Sequence, residues 1–352
     1  QMLAYTPDGR YIFLPHETPI GAGISRYDRK EDVTGLLFAG DQNGDRSDPN
    51  GDTWELDFGA FDPARFTPNG TVIAAEEWSG QGRVVELLDP LGPVPYDPVA
   101  GSAHMTKGKD YRVLNSFARV SHEGINFSVK RHNKVIYYID EDRSGSIYKL
   151  VLRRRGDYAT GGRTFVLVVD GFKGNPAERW DGSGPTDSDV NKDQDVQDSR
   201  FGLATWVPIT DRMGRPLAGI TNPFDNSDTD NWRPGRVAAD DVGGTPFGRP
   251  EDMTIGVSKR GKEILYVATT SEHAVISIEE LGKRKARVRQ FASQETPRNQ
   301  GFLPTTGVLN SPDNLAIDAL GNIYIIEDSP NSSDVGGDIW FGRDTDGDGV
   351  PD

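Results

Sequence analysis

Three short motifs place a carboxylate just ahead of an apolar run: Glu123 in SHEG, Glu251 in RPED and Asp313 in SPDN. A second set closes the run that follows: Glu17 in PHE, Glu76 and Glu77 in AEEW, Asp140 with Glu141, and Glu327 with Asp328. Carboxylates brought to one point repel one another unless a cation sits between them. Hard divalent cations with oxygen ligands suit such a set, calcium first, because calcium accepts many flexible carboxylates. Taken singly, each residue also reads as a solvated strand end. Glu123, Glu251 and Asp313 together favour a metal site.

Composition narrows the chemistry further. The chain has 352 residues, with 39 Lys+Arg against 54 Asp+Glu, a formal net charge of 39 − 54 = −15. That balance repels a phosphate backbone, which argues against nucleic acid and anionic membranes as partners. There is no cysteine, so thiol nucleophiles, disulfides and thiolate metal sites are excluded. Only five histidines are present, which argues against a histidine-rich metal centre. No apolar run reaches the roughly 18 residues of a membrane span. The cysteine-free chain suits an oxidising location, and any signal peptide is expected to have been removed or left out before Gln1.

The elements that must position these residues are short strands. β-Branched and aromatic runs alternate with Asp-Gly, Asn-Gly and Gly-Lys turns, and long amphipathic stretches are scarce. Three stretches share one layout: HEGINFSVKRHNKVIYYIDEDRSGSIYKLVL from His122, PEDMTIGVSKRGKEILYVATTSEHAVISIEEL from Pro250, and PDNLAIDALGNIYIIEDSPNSSDVGGDIWFG from Pro312. Looser copies begin at Met2 and Asp62. A lone meander cannot bury both faces, and a radial stack solves that, so the expected fold is an all-β, six-bladed β-propeller with long inserted loops. Five blades are readable. Residues 163–237 are expected to give the sixth or a long insertion, with FVLVVDG as a strand. The basic, alternating KRKARVRQF (283–291) reads as a solvated outer strand.

In their order, PHE, GTVIAAEEW, FARVSHEG, GRPEDM and SPDNLAID resemble the PhoX-type alkaline phosphatases. The likeness runs from about Leu3 to Trp340 and weakens across 156–240. It implies a six-bladed propeller whose channel holds calcium with iron and hydrolyses phosphate esters. Glu123, Glu251 and Asp313 would then be metal ligands, with Glu76 or Glu77 nearby. Arg249 would face the phosphate, where a guanidinium can grip two oxygens at once. One departure matters: Ala75 stands where that family has an iron-binding cysteine. The resemblance therefore implies several calcium ions and withholds Fe³⁺.

Other acidic runs carry a calcium rhythm. Asp344, Asp346 and Asp348 in DTDGDGVPD give the first half of a D-x-D-x-D-G loop, similar to thrombospondin type 3 repeats. Asp41, Asn43 and Asp45 share the spacing, with Arg46 in the glycine position; these loops and PTDSDVNKDQDVQD bind calcium or stay solvated. The expected layout is a propeller over 1–342, with the long insertion at 156–240, and the start of a calcium-binding linker repeat over 343–352. A cell-surface or sorting domain is expected beyond Asp352. Three functions fit: a secreted (extracellular or periplasmic) calcium-dependent phosphate-ester hydrolase, a non-catalytic calcium-stabilised surface propeller, and a lactonase using calcium in the same channel. His122, beside Glu123, is a candidate general acid or a structural histidine.

Overall fold

Five groups of antiparallel strands follow one another, each beginning at one of the five repeats. The computed structural model describes residues 2–40, 58–94, 107–177, 200–225, 233–297, 308–328 and 337–351, apart from positions 20, 79, 283 and 346. Blade one is β1 (Ala4–Tyr5), β2 (Tyr11–Pro15), β3 (Gly23–Asp28) and β4 (Val33–Ala39). Blade two is β5 (Phe61–Phe66), β6 (Val72–Glu76), β7 (Val84–Leu87) and β8 (Tyr111–Val113). Blade three is β9 (His122–Phe127), β10 (Val135–Asp140), β11 (Ile147–Leu152) and β12 (Gly162–Val169). After β13 (Gly202–Pro208) and α1 (Pro234–Asp240), blade four is β14 (Pro250–Val257), β15 (Glu263–Thr269), β16 (Ala274–Gly282) and β17 (Lys285–Ser293). Blade five is β18 (Pro312–Ile317), β19 (Asn322–Glu327) and β20 (Ile339–Arg343).

The second strands of blades two, three and four are apolar between their ends because both of their faces are covered. Every residue of β6, β10 and β15 is buried. Tyr138 packs with Ile73, Ala75 and Val84 between blades two and three, while its neighbour Tyr137 packs with Met253, Leu265 and Trp206 between blades three and four. Rings this large bury roughly 150–250 Å² each, so they dominate blade-to-blade cohesion. The turns follow the sequence signals. Gly70, between β5 and β6, and Gly321, between β18 and β19, take φ of 81° and 84°, which a side chain would oppose.

Of the two outcomes expected for 163–237, a sixth blade or a long insertion, no separate blade forms among the described residues. FVLVV instead completes blade three as β12, paired with β11. β13 then pairs with β12 on one side and β17 on the other. It joins the outer edges of blades three and four into one nine-stranded sheet and caps two edges that would otherwise be open. The KRKARVRQF stretch behaves as expected: in β17, Ala286, Val288 and Phe291 are buried and Lys285 and Arg287 are exposed.

Polar side chains lace the inner strands around the axis. Arg65 of β5 donates to the Ile125 carbonyl of β9 (2.8 Å), and Asn126 of β9 donates to the Met253 carbonyl of β14 (2.5 Å). The Asp252 carboxylate accepts the Leu315 N–H of β18 at 3.1 Å and pairs with Arg65 at 3.9 Å. Asp252 is thus a strut between blades.

Candidate metal centre

The register of the inner strands explains how the carboxylates reach the axis. Phe61 pairs with Glu76 and Ala64 with Ala74, so Asp62 and Pro63 oppose a single residue of β6. The same irregularity places Glu123 between His122↔Asp140 and Ile125↔Tyr138, Glu251 between Pro250↔Thr269 and Met253↔Val267, and Asp313 between Pro312↔Glu327 and Asn314↔Ile326. A bulge re-aims a side chain away from the regular pleat. Four blades therefore present a carboxylate from one equivalent bulge.

A second equivalence fixes the facing residue. The carbonyl two residues before each bulged carboxylate accepts the N–H of the residue just after the second strand. The pairs are Ala60 with Glu77 (2.8 Å), Ser121 with Glu141 (2.7 Å), Arg249 with Thr270 (3.0 Å) and Ser311 with Asp328 (3.0 Å). Ala60, Arg249 and Ser311 adopt φ of 44°, 51° and 43° to make this contact. Such left-handed backbone costs a non-glycine residue on the order of 1–3 kcal/mol, a strain that clusters at functional sites.

Two trios result. Oxygens of Glu123, Glu251 and Asp313 lie within 4.8 Å of one another, and so do oxygens of Glu17, Asp62 and Glu77. Burial, reinforced by the neighbouring carboxylates, pushes Asp62 up to about 7, Glu251 to about 8 and Glu77 to about 9. Glu123 is raised well above the usual range by burial and by Glu251, and burial raises Glu141 and Asp313 as well. Arg249 brings positive charge among them, its Nε donating to Glu141 at 2.5 Å and its Nη2 lying 3.1 Å from Glu251.

The geometry also separates residues the sequence had grouped. Glu76 lies outside both trios. Fully buried, it accepts Arg83 Nε and Nη2 (each 2.8 Å), the Arg83 N–H (2.9 Å) and the Gly59 N–H (3.0 Å). Its expected role as a metal ligand is corrected: those lone pairs serve Arg83 and the backbone. Asp140 is spent likewise on Arg236, at 2.7 Å to each oxygen, and Glu327 on Trp340 and two backbone amides. In these three blades the strand's last carboxylate anchors structure, and in blade two the next residue, Glu77, joins a trio.

Replacing Arg83 with methionine leaves Glu76 buried without its cation. It is expected to cost roughly 3–5 kcal/mol in urea unfolding, while the metal content of the folded protein stays unchanged. A loss under about 1 kcal/mol, or a loss of metal, would return Glu76 to the site.

His122 is fully buried and packs at a tilt against Tyr138, with ring centroids 5.5 Å apart. Burial and the nearby Arg119 push it down to about 3, so it is a neutral imidazole at physiological pH and has no proton to give as a general acid. Asp344 accepts the N–H groups of Gly347, Asp348 and Gly349 and the Tyr266 hydroxyl, and the Gly349 carbonyl accepts Ser277. The C-terminal turn thus leans on blade four, and the Asp348 carboxylate accepts the Val350 N–H. Asp346, Asp41, Asn43, Asp45 and the run 185–198 lie outside the described residues. Asp62 was missed as a candidate although it opens its repeat as Glu123 nearly opens the next; its position in that copy was the available signal.

The donor chemistry fits a hard cation. Every ligand atom in both trios is a carboxylate oxygen, and Glu123 Oε2 is buried with no hydrogen-bond partner among the described residues. Ala75 points elsewhere, fully buried in the apolar cluster with Val84, Phe117 and Tyr138.

Among described residues no helix is long and apolar enough to cross a membrane. No curated protein matches the chain in sequence. In fold it is similar to PhoX from Pseudomonas fluorescens, solved in complex with vanadate, a transition state analogue, with 15% identity and a TM-score of 0.56, covering 97% of this chain and 76% of that one. Weaker likenesses include a 6-phosphogluconolactonase-type protein of Bacteroides uniformis (13% identity, TM-score 0.42, 98% and 82% covered) and the gluconolactonase XC5397 of Xanthomonas campestris (12%, 0.40, 100% and 75%). The family model described as alkaline phosphatase PhoX matches residues 102–350, and on that match, over a propeller of bulge-borne carboxylates, the chain belongs to the PhoX alkaline phosphatase family.

Proposed function

We propose that the protein is a secreted phosphate-ester hydrolase that works with calcium held by the channel carboxylates. The observation that carries this reading is the pair of all-oxygen trios with the Arg249 guanidinium set between Glu141 and Glu251. Glu123, Glu251 and Asp313 would hold one ion, and Glu17, Asp62 and Glu77 a second. A bound divalent ion supplies Lewis acidity to phosphoryl oxygens and lowers the pKa of water. Arg249, held by Glu141 and by its left-handed backbone, is aimed to meet the non-bridging oxygens and the charge that grows on them. Glu141 orients that guanidinium.

Ala75 favours a second reading, a calcium-stabilised propeller without catalysis, since the position offers no donor for iron. Turnover of p-nitrophenyl phosphate or its bis-ester by calcium-loaded protein separates the two. Arg249→Lys keeps the charge but loses the planar fork, so kcat/KM is expected to fall about 10- to 100-fold, with an unchanged melting temperature. Equal turnover in the variant would remove Arg249 from the phosphate.

A further inference from the structure

On the face opposite the carboxylate trios, blades three and four part to form a cavity of about 690 Å³. Its lining comes from the far ends of the strands that carry Glu123 and Glu251. β9 runs six residues, about 20 Å at strand rise, from His122 beside Glu123 toward the turn that supplies Lys130, Arg131 and Lys134. Blade three adds Arg153, Arg163 and Lys149, blade four adds Lys262 and Arg284, and the turn after β13 adds Arg212. Nine cations face two carboxylates, a local balance of 9 − 2 = +7 in a chain whose net charge is −15.

Those two carboxylates are already committed. Glu280 accepts Lys149 Nζ and Trp206 Nε1, each at 2.6 Å. Glu263 accepts the Ser128 and Tyr137 hydroxyls and the Val129 and Lys130 N–H groups. The remaining eight cations make no ion pair with a carboxylate among the described residues, and Arg163 Nε is buried with no hydrogen-bond partner there. Like charges gathered in a concave wall without counter-charge raise the local potential and draw in anions. A cavity of this size suits a small ligand and not a surface or polymer.

We propose that this cavity is a second, non-catalytic site for a small polyphosphate anion carrying at least two phosphate groups, free or as the tail of a nucleotide. The local balance of +7 exceeds the charge of one phosphate, and several of the cations are guanidiniums suited to paired phosphate oxygens. The site is independent of the channel chemistry.

Isothermal titration of the metal-loaded protein with tripolyphosphate tests it, alongside Arg131→Gln/Arg153→Gln/Arg212→Gln, three exposed positions whose change leaves the core intact. Saturable binding that weakens at least tenfold in the triple variant, weakens with salt, and survives in Glu251→Gln would support the site. In a parallel titration, a nucleoside triphosphate binding as tightly as tripolyphosphate assigns the tail alone, and tighter binding adds the base. Absence of saturable binding at 0.15 M salt, an unchanged affinity in the triple variant, or loss of binding in Glu251→Gln alone would overturn it.

Discussion

Stripping the protein of divalent ions at pH 8 is expected to lower its melting temperature by about 10 °C or more, and the deficit should shrink as the pH falls toward 5. Asp62, Glu251 and Glu77 titrate at about 7, about 8 and about 9 in the folded chain, against ordinary values near 4 when unfolded. Between those limits the metal-free folded state binds more protons than the unfolded state. Its stability is therefore fullest at low pH and is lost as pH rises through the folded values. A tenfold difference in proton affinity between the two states corresponds to about 1.4 kcal/mol, so the three groups together amount to several kcal/mol. At roughly 2–4 °C per kcal/mol, that gives the stated fall in melting temperature. Bound cations replace those protons, so metal uptake should also release protons near pH 7. Equal melting temperatures at pH 8 with and without metal, with metal loss confirmed by elemental analysis, would refute a charge-driven site.

The second large effect concerns the trio at the bulges. Glu251→Gln keeps size and removes one charge from a site in which every donor is a carboxylate oxygen. Calcium affinity is expected to fall at least about 100-fold, more than about 2.7 kcal/mol. Hydrolysis should fall with it and return in part when calcium is raised. Glu123→Gln should behave alike, since Glu123 Oε2 has no hydrogen-bond partner among the described residues to compensate. Wild-type calcium affinity in both variants would place the ion elsewhere.

Much of this was legible in the sequence for physical reasons. A second strand buried on both faces must be apolar between its ends, and VIYYID and EILYVAT announce that directly. The five repeats therefore mapped onto five blades. β12 and β13 were harder: FVLVV reads as a strand, but nothing local says whether it starts a new meander or completes the preceding one. The answer lies in pairing across 80 residues, where β13 meets β17 through Thr205 and Lys285 as well as through the ladder.

At the channel, spacing identified Glu17, Glu77, Glu123, Glu251 and Asp313 as candidates. It failed to separate Glu76 from Glu77, or Asp140 from Glu141, because the deciding partner can be remote; Arg236 lies 96 residues beyond Asp140. The basic cavity was invisible for the same reason. Its cations are scattered over several hairpins, and the obvious basic run, KRKARVRQF, contributes only Arg284 to it while the rest of the described run forms an ordinary outer strand.

On the proposed reading, calcium in the channel carboxylates supports phosphate-ester hydrolysis. Metal content and p-nitrophenyl phosphate turnover, measured together on wild type and Glu251→Gln purified without chelator, test it most directly. The expected result is stoichiometric calcium with little iron in the wild type, measurable turnover that EDTA abolishes and calcium restores, and loss of both calcium and turnover in the variant. Calcium bound at full stoichiometry with no turnover of the monoester or the bis-ester, or turnover that Glu251→Gln leaves intact, would contradict it.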